Sequence, residues 1–132
     1  MKVCSLVENS KLPTKKYAGD VGFDLYSTVD IVIEPHTTAV IPTGIAIELP
    51  KGFFGWITNK SSKEYLVGAG IVDNNYRGEI KVRIFNVLNK KIYIKEGDAI
   101  AQLILLPQVD DVIELVLFLS ETDRNSDGGI NR

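Results

Sequence analysis

Four short stretches of this chain carry side chains suited to handling a charged ligand. Thr58–Ser62, TNKSS, places one lysine beside two hydroxyl residues. Lys60 supplies positive charge, and Ser61 and Ser62 supply donors for phosphate oxygens. The stretch lacks the GxxxxGK[ST] pattern of a P-loop, so a solvated turn is the other reading. Ala18–Ser27, AGDVGFDLYS, embeds Asp24 between Phe23 and Leu25. A carboxylate among apolar strand residues is costly unless it is paired, hydrogen-bonded or near a metal, or faces water at a sheet edge. In Gly97–Ile104, GDAIAQLI, Gln102 interrupts an otherwise apolar run. It is either a satisfied core amide or a group that faces a ligand.

Gly68–Glu79, GAGIVDNNYRGE, reads as a hairpin. Gly68 and Gly70 permit unusual backbone angles. Asn74-Asn75 tolerates the left-handed geometry of a turn, with Ile71-Val72 and Ile80 as flanking strands. That arrangement puts Asp73 and Tyr76 near the tip, although an ordinary hairpin would look the same. Near the end, Arg124 and Gly128-Gly129 could fold over a bound ligand.

The elements that must hold these groups are strands. Apolar runs at Ile31–Ile33, Ala39–Ile41, Gly44–Leu49, Phe53–Thr58, Ile80–Val87, Ile92–Ile94, Ile100–Leu106 and Val112–Leu119 are punctuated by Pro, Gly and Asn. This spacing predicts an all-β sandwich or barrel. No segment of about 12 residues shows a helical stripe. One short helix or turn is expected at Ser61–Leu66. Residues 1–120 read as one β domain and residues 121–132 as a mobile polar arm.

Composition excludes several chemistries. The chain has 132 residues, 45% hydrophobic and 24% charged, the balance of a soluble globular domain. A net charge of −2 provides no broad basic footprint for nucleic acid. Cys4 is the only cysteine and His36 the only histidine, so an internal disulfide, a Cys-rich zinc site and a multi-histidine metal centre are all excluded. His36, in a turn-like stretch, reads as a surface residue. The apolar runs fall short of the roughly 20 residues of a membrane span. The N-terminus lacks the pattern of a secretory signal. The expectation is a protein of the cytoplasm, or of the nucleus in a eukaryotic or viral setting, and not a secreted one.

In order and spacing, these stretches resemble the five motifs of the homotrimeric dUTPases, from about Ala18 to Gly129. AGDVGFDLYS resembles the first, TNKSS the second, GAGIVDNNYRGE the third, GDAIAQLI the fourth and DRNSDGG a degraded fifth. The resemblance implies a jelly-roll-like β domain that assembles as a homotrimer, with each site built from three subunits. It implies hydrolysis of dUTP to dUMP and pyrophosphate, with Asp73 as general base. Tyr76 would pack on the deoxyribose, and the backbone of Ala69, Gly70, Ile71 and Val72 would bind uracil. Lys60, Ser61, Ser62 and Gln102 would hold phosphates, and Arg124 would close over them. Asp24 would hold Mg²⁺ through water. A dUTPase-like nucleotide-binding regulator with weak or no catalysis is the alternative.

The chain departs from the family pattern at several positions. Lys60 stands where most members carry Arg, which removes the bidentate fork. Only Lys63–Val67 separates Ser62 from Gly68, where the family usually has a longer stretch with a short helix. Ala99 replaces a basic residue common in the fourth motif. In the tail, Ile130 stands where an aromatic would cover the base, which predicts weaker closure of the lid.

Overall fold

The computed structural model describes residues 1–68 and 70–124. Ala69 and the tail positions Asp127, Gly128, Gly129 and Ile130 lie outside the described residues, as does most of the 121–132 segment. Ten strands carry the fold, and no helix occurs among the described residues. They are β1 (Lys2–Ser5), β2 (Phe23–Tyr26), β3 (Ile31–Ile33), β4 (Thr38–Glu48), β5 (Phe53–Thr58), β6 (Leu66–Val67), β7 (Gly70–Val72), β8 (Glu79–Phe85), β9 (Ile92–Ile94) and β10 (Ala99–Pro107).

One sheet has the order β1-β4-β8-β6 and a second the order β2-β10-β5-β7, while β3 and β9 form a separate ribbon. All pairings are antiparallel. The molecule is thus all-β, as the strand pattern predicts, and of jelly-roll type, as the resemblance implies. Strand alternation builds the core. In β8, Ile80, Val82 and Ile84 point inward, while Lys81, Arg83 and Phe85 point outward. They meet Ile41, Ile45 and Ile47 of β4 and Leu25, Ile57, Ile100 and Leu103 of the facing sheet in one continuous cluster. Each such buried aliphatic contributes about 1.5–3 kcal/mol.

Two expectations need correction, the strand at Val112–Leu119 and the extent of the Ile80–Val87 run. Val112–Leu119 forms no strand. It runs outside the sheets with Ile113 101%, Leu115 97% and Leu117 92% exposed. Its apolar run predicts a strand, but no sheet edge among the described residues pairs with it. Ser61–Leu66 takes the turn of its two expected forms, closed by the Lys63 amide donating to the Lys60 carbonyl. Finally, β8 ends at Phe85, short of Val87, because the buried Asn86 turns the chain. Its side-chain amide donates to the carbonyls of Ile33, Glu34 and Lys90, and its carbonyl accepts from the Leu88 amide. His36 is exposed, as expected, and is the one described non-glycine with a positive φ, 58°.

Candidate active site

The register of the second sheet explains why polar residues interrupt apolar strands. Asp24 of β2 pairs with Gln102 of β10, and Gln102 pairs with Thr58 of β5. Directly paired residues share a face. Their neighbours Leu25, Ala101, Leu103 and Ile57 fill the core, so Asp24, Gln102 and Thr58 must face outward. Above that face lies a cavity of about 270 Å³ lined by Lys16, Asp20, Val21, Gly22, Asp24, Lys60, Ser61, Ser62 and Gln102. The Lys60 ammonium sits 2.5 Å from an Asp24 carboxylate oxygen, each side chain about one-fifth exposed. Gln102 donates from Nε2 to the Asn59 carbonyl at 2.8 Å. Its Oε1 lies where a Cβ at position 22 would come within 2.2 Å, so only glycine leaves room for the amide.

A second cavity, about 210 Å³, is lined by Ile57, Gly70, Ile71, Val72, Asp73, Tyr76 and Lys81. Its walls are mainly apolar, with one carboxylate, one phenol and one ammonium at the rim. The Tyr76 hydroxyl donates to the Glu79 carbonyl at 3.0 Å, which folds the ring back along the chain. Asp73 is exposed, and among the described residues no side chain pairs with its carboxylate.

The connection that carries Asp73 is not the expected hairpin. β7 pairs with β5 in one sheet, and β8 pairs with β4 in the other. Residues 73–78 therefore cross between sheets. Neither Asn74 nor Asn75 has a positive φ. Asn74 acts through its side chain, donating to the carbonyls of Pro50 at 2.9 Å and Phe53 at 2.8 Å. Nor do Gly68 and Gly70 adopt positive φ. Close packing requires the glycine at 70, where a Cβ would meet the Ile57 Cβ at 2.6 Å, while a Cβ at 68 would push against the Phe85 ring at 2.7 Å.

The structure therefore divides the expected site residues. Asp24, Lys60, Ser61, Ser62 and Gln102 share one cavity, and Gly70, Ile71, Val72, Asp73 and Tyr76 share another. Arg124 lines neither; its amide donates to the Thr122 hydroxyl.

Comparison with known proteins bears on this arrangement. The family model for dUTPase matches residues 8–131. The chain belongs to the dUTPase family. It is 37% identical to the deoxyuridine 5′-triphosphate nucleotidohydrolase of Paramecium bursaria Chlorella virus 1, over 96% of this chain and 92% of the relative. It is 39% identical to the human mitochondrial deoxyuridine 5′-triphosphate nucleotidohydrolase, over 97% of this chain, and spans about half (52%) of that relative's length. Among solved structures, a mutant dUTPase of Staphylococcus bacteriophage 80alpha with dUpNHpp superimposes with a TM-score of 0.88 at 25% identity, covering 98% of this chain and 96% of that one. A mutant dUTPase from phage phi11 of S. aureus, described with a structural Mg(II) ion, gives 0.85 at 25% identity, covering 91% and 98%.

Within this dUTPase frame, several lining residues escaped the sequence reading. Asp20 and Gly22 lie inside the AGDVGFDLYS stretch, so their place in the first cavity was within reach. Lys16 had only the basic pair Lys15-Lys16 to signal it. Lys81 had no signal beyond outward alternation on β8. Among the described residues no group of three or more acidic, His or Cys side chains forms a ready metal cage. Asp24 and Asp20 nevertheless supply hard oxygen donors to the cavity that Lys16 and Lys60 also line. That donor set suits Mg²⁺, which keeps most of its waters and takes one or two carboxylates together with substrate phosphates.

Proposed function

We propose that this protein hydrolyses dUTP to dUMP and pyrophosphate as a homotrimer. The observation that carries this reading is the pair of cavities. One is polar, holds two lysines and two serines, and fits a triphosphate. The other is apolar, holds a carboxylate and a tyrosine, and fits a base with its sugar. The names of the relatives point to the same reaction.

In this reading the exposed Asp73 carboxylate takes a proton from water as the water oxygen bonds to the α-phosphorus. The bond from that phosphorus to the bridging oxygen breaks, and pyrophosphate leaves. Lys60, Ser61, Ser62 and Gln102 hold the phosphates and offset charge on the departing group. Tyr76 packs against the deoxyribose and excludes a 2′-hydroxyl. The backbone from Ala69 to Val72 meets uracil, and Arg124 closes over the phosphates. Asp24 would hold Mg²⁺ through water, and the bound ion would neutralise phosphate charge. Pyrophosphate release would be measured with Mg²⁺ on dUTP, UTP and the four common deoxynucleoside triphosphates. The expected outcome is release from dUTP alone. Equal release from UTP would end the sugar role of Tyr76, and release from none would end the enzymatic reading.

Two features support assembly. The two cavities share no lining residue, which fits a site completed by parts of different subunits. The second feature is the Val109–Leu119 stretch, whose apolar side chains are mostly exposed, a pattern that a soluble monomer rarely maintains. An apolar groove of about 330 Å³ runs beside the edge strand β1, lined in part by Val3, Leu6, Ala46 and Ile47. Sedimentation velocity should show one species of three chains, and removal of residues 109–132 should dissociate it. A monomeric full-length chain with full activity would overturn the assembly.

A further inference from the structure

The loop that presents Lys60, Ser61 and Ser62 joins strands of different sheets. It leaves β5 at Thr58 and enters β6 at Leu66. β6 itself is held to β8 by only two paired residues, Leu66 and Val67. One side chain closes the neck of this loop. Asn59 donates from Nδ2 to the Tyr65 carbonyl at 2.5 Å. Its Oδ1 accepts the Val67 amide at 2.8 Å. Its own backbone carbonyl accepts from Gln102 Nε2 at 2.8 Å. Just inside the neck, the buried Tyr65 hydroxyl donates to the Ile100 carbonyl at 3.2 Å. Gln102 and Lys60, which line the polar cavity, are thereby fixed relative to one another through a single residue.

We propose that Asn59 is a positioning residue for phosphate recognition, a role that rests on reading the polar cavity as the triphosphate site. Asn59 is absent from the residues lining that cavity, so it acts through others. The clamp holds the two serines and Lys60 at one height above Asp24 and Gln102. Loss of both side-chain bonds frees the loop while the Asp73–Tyr76 connection, braced separately by Asn74, stays in place. The consequence is selective: affinity for the phosphates falls and affinity for the nucleoside does not.

The test uses the full chain with Mg²⁺ and two probes, inorganic pyrophosphate and deoxyuridine. In Asn59→Ala the inhibition constant of pyrophosphate and the KM for dUTP should rise about tenfold, the scale of one or two lost hydrogen bonds. The inhibition constant of deoxyuridine should not change. Asn59→Asp keeps the acceptor for Val67 and loses the donor to Tyr65, so it should fall between. Unchanged pyrophosphate inhibition in a folded variant would overturn the role, as would equal weakening of both probes. If Asn59→Ala does not fold, hydrogen exchange on the unmodified protein decides: the Val67 amide should be strongly protected, and free exchange there would remove the clamp. Failure of the unmodified chain to bind pyrophosphate would overturn the reading of the cavity and this role with it. Pyrophosphate binding that Asn59→Ala leaves intact overturns this role alone.

Discussion

The two cavities of this chain are built in opposite ways. Around Asp24, several polar groups are already interlocked: Lys60 meets Asp24, Gln102 meets Asn59, and Asn59 meets Tyr65 and Val67. Around Asp73, the partners belong to the scaffold and not to the reactive group. Asn74 ties the connection to the β4–β5 turn and Tyr76 ties itself to Glu79, while the Asp73 carboxylate stands exposed. A region meant to hold a large anion benefits from donors set before the ligand arrives. A carboxylate meant to accept a proton from water must stay ionised and open to water. Fixed backbone with a free carboxylate meets the second need, and an interlocked set of donors meets the first.

The sharpest way to break this contrast is at Asp73. Asp73→Asn keeps shape and removes basicity. The turnover number for dUTP should fall by a factor of about 10² to 10⁴, while the KM and the affinity for the non-hydrolysable dUpNHpp stay close to those of the unmodified protein. Steady-state kinetics and a binding titration measure both. A large loss of dUpNHpp affinity would mean that Asp73 belongs to the binding region and that the contrast fails.

The brace beneath Asp73 comes next. Asn74→Ala leaves the carbonyls of Pro50 and Phe53 without their side-chain donor. The cost should be about 2 kcal/mol, read as a fall in Tm on the order of 5–10 °C. Turnover should fall with it, and pyrophosphate inhibition should hold. That pattern is the mirror image of Asn59→Ala. Identical kinetic signatures from the two variants would show one coupled site where two separately braced regions are described.

These braces mark what the sequence could and could not tell. The all-β class followed from short apolar runs, because alternation and turn residues are local signals. Gln102 and Asp24 stood out because each breaks an apolar run, and the register confirms that each faces away from the core. What stayed hidden depends on partners distant in the chain. Asn74 looked like a turn former, yet it works by reaching back to Pro50 and Phe53. Asn59 drew no notice at all, since its bonds to Tyr65 and Val67 exist only once β5 and β6 are placed. The short Lys63–Val67 link looked like a defect when set against the family pattern; the Asn59 clamp shows how so short a loop is closed. Val112–Leu119 misled for the opposite reason. Its apolar run is long enough for a strand, but no sheet among the described residues takes it up.

A further expected effect concerns pH and tests the floor of the phosphate loop. Tyr65 is 6% exposed, and burial, with Asp98 adding to it, pushes its hydroxyl up to about 12 from the usual 10. The folded state therefore holds the proton more tightly than the unfolded chain does. The sign follows from linkage: the stabilisation is fully present below pH 10 and is lost as pH rises toward 12. Over that window the loss should be about 2 kcal/mol, part of it screened by salt because Asp98 contributes through charge. Urea unfolding at a series of alkaline pH values measures it, with Tyr65→Phe as the reference. The variant gives up the bond to the Ile100 carbonyl, so it should start slightly less stable at neutral pH. Above pH 10 its stability should fall less steeply than that of the unmodified chain. Parallel alkaline profiles would mean that the Tyr65 hydroxyl titrates as freely as an exposed one, and the loop would then lack the buried anchor on which the Asn59 clamp closes.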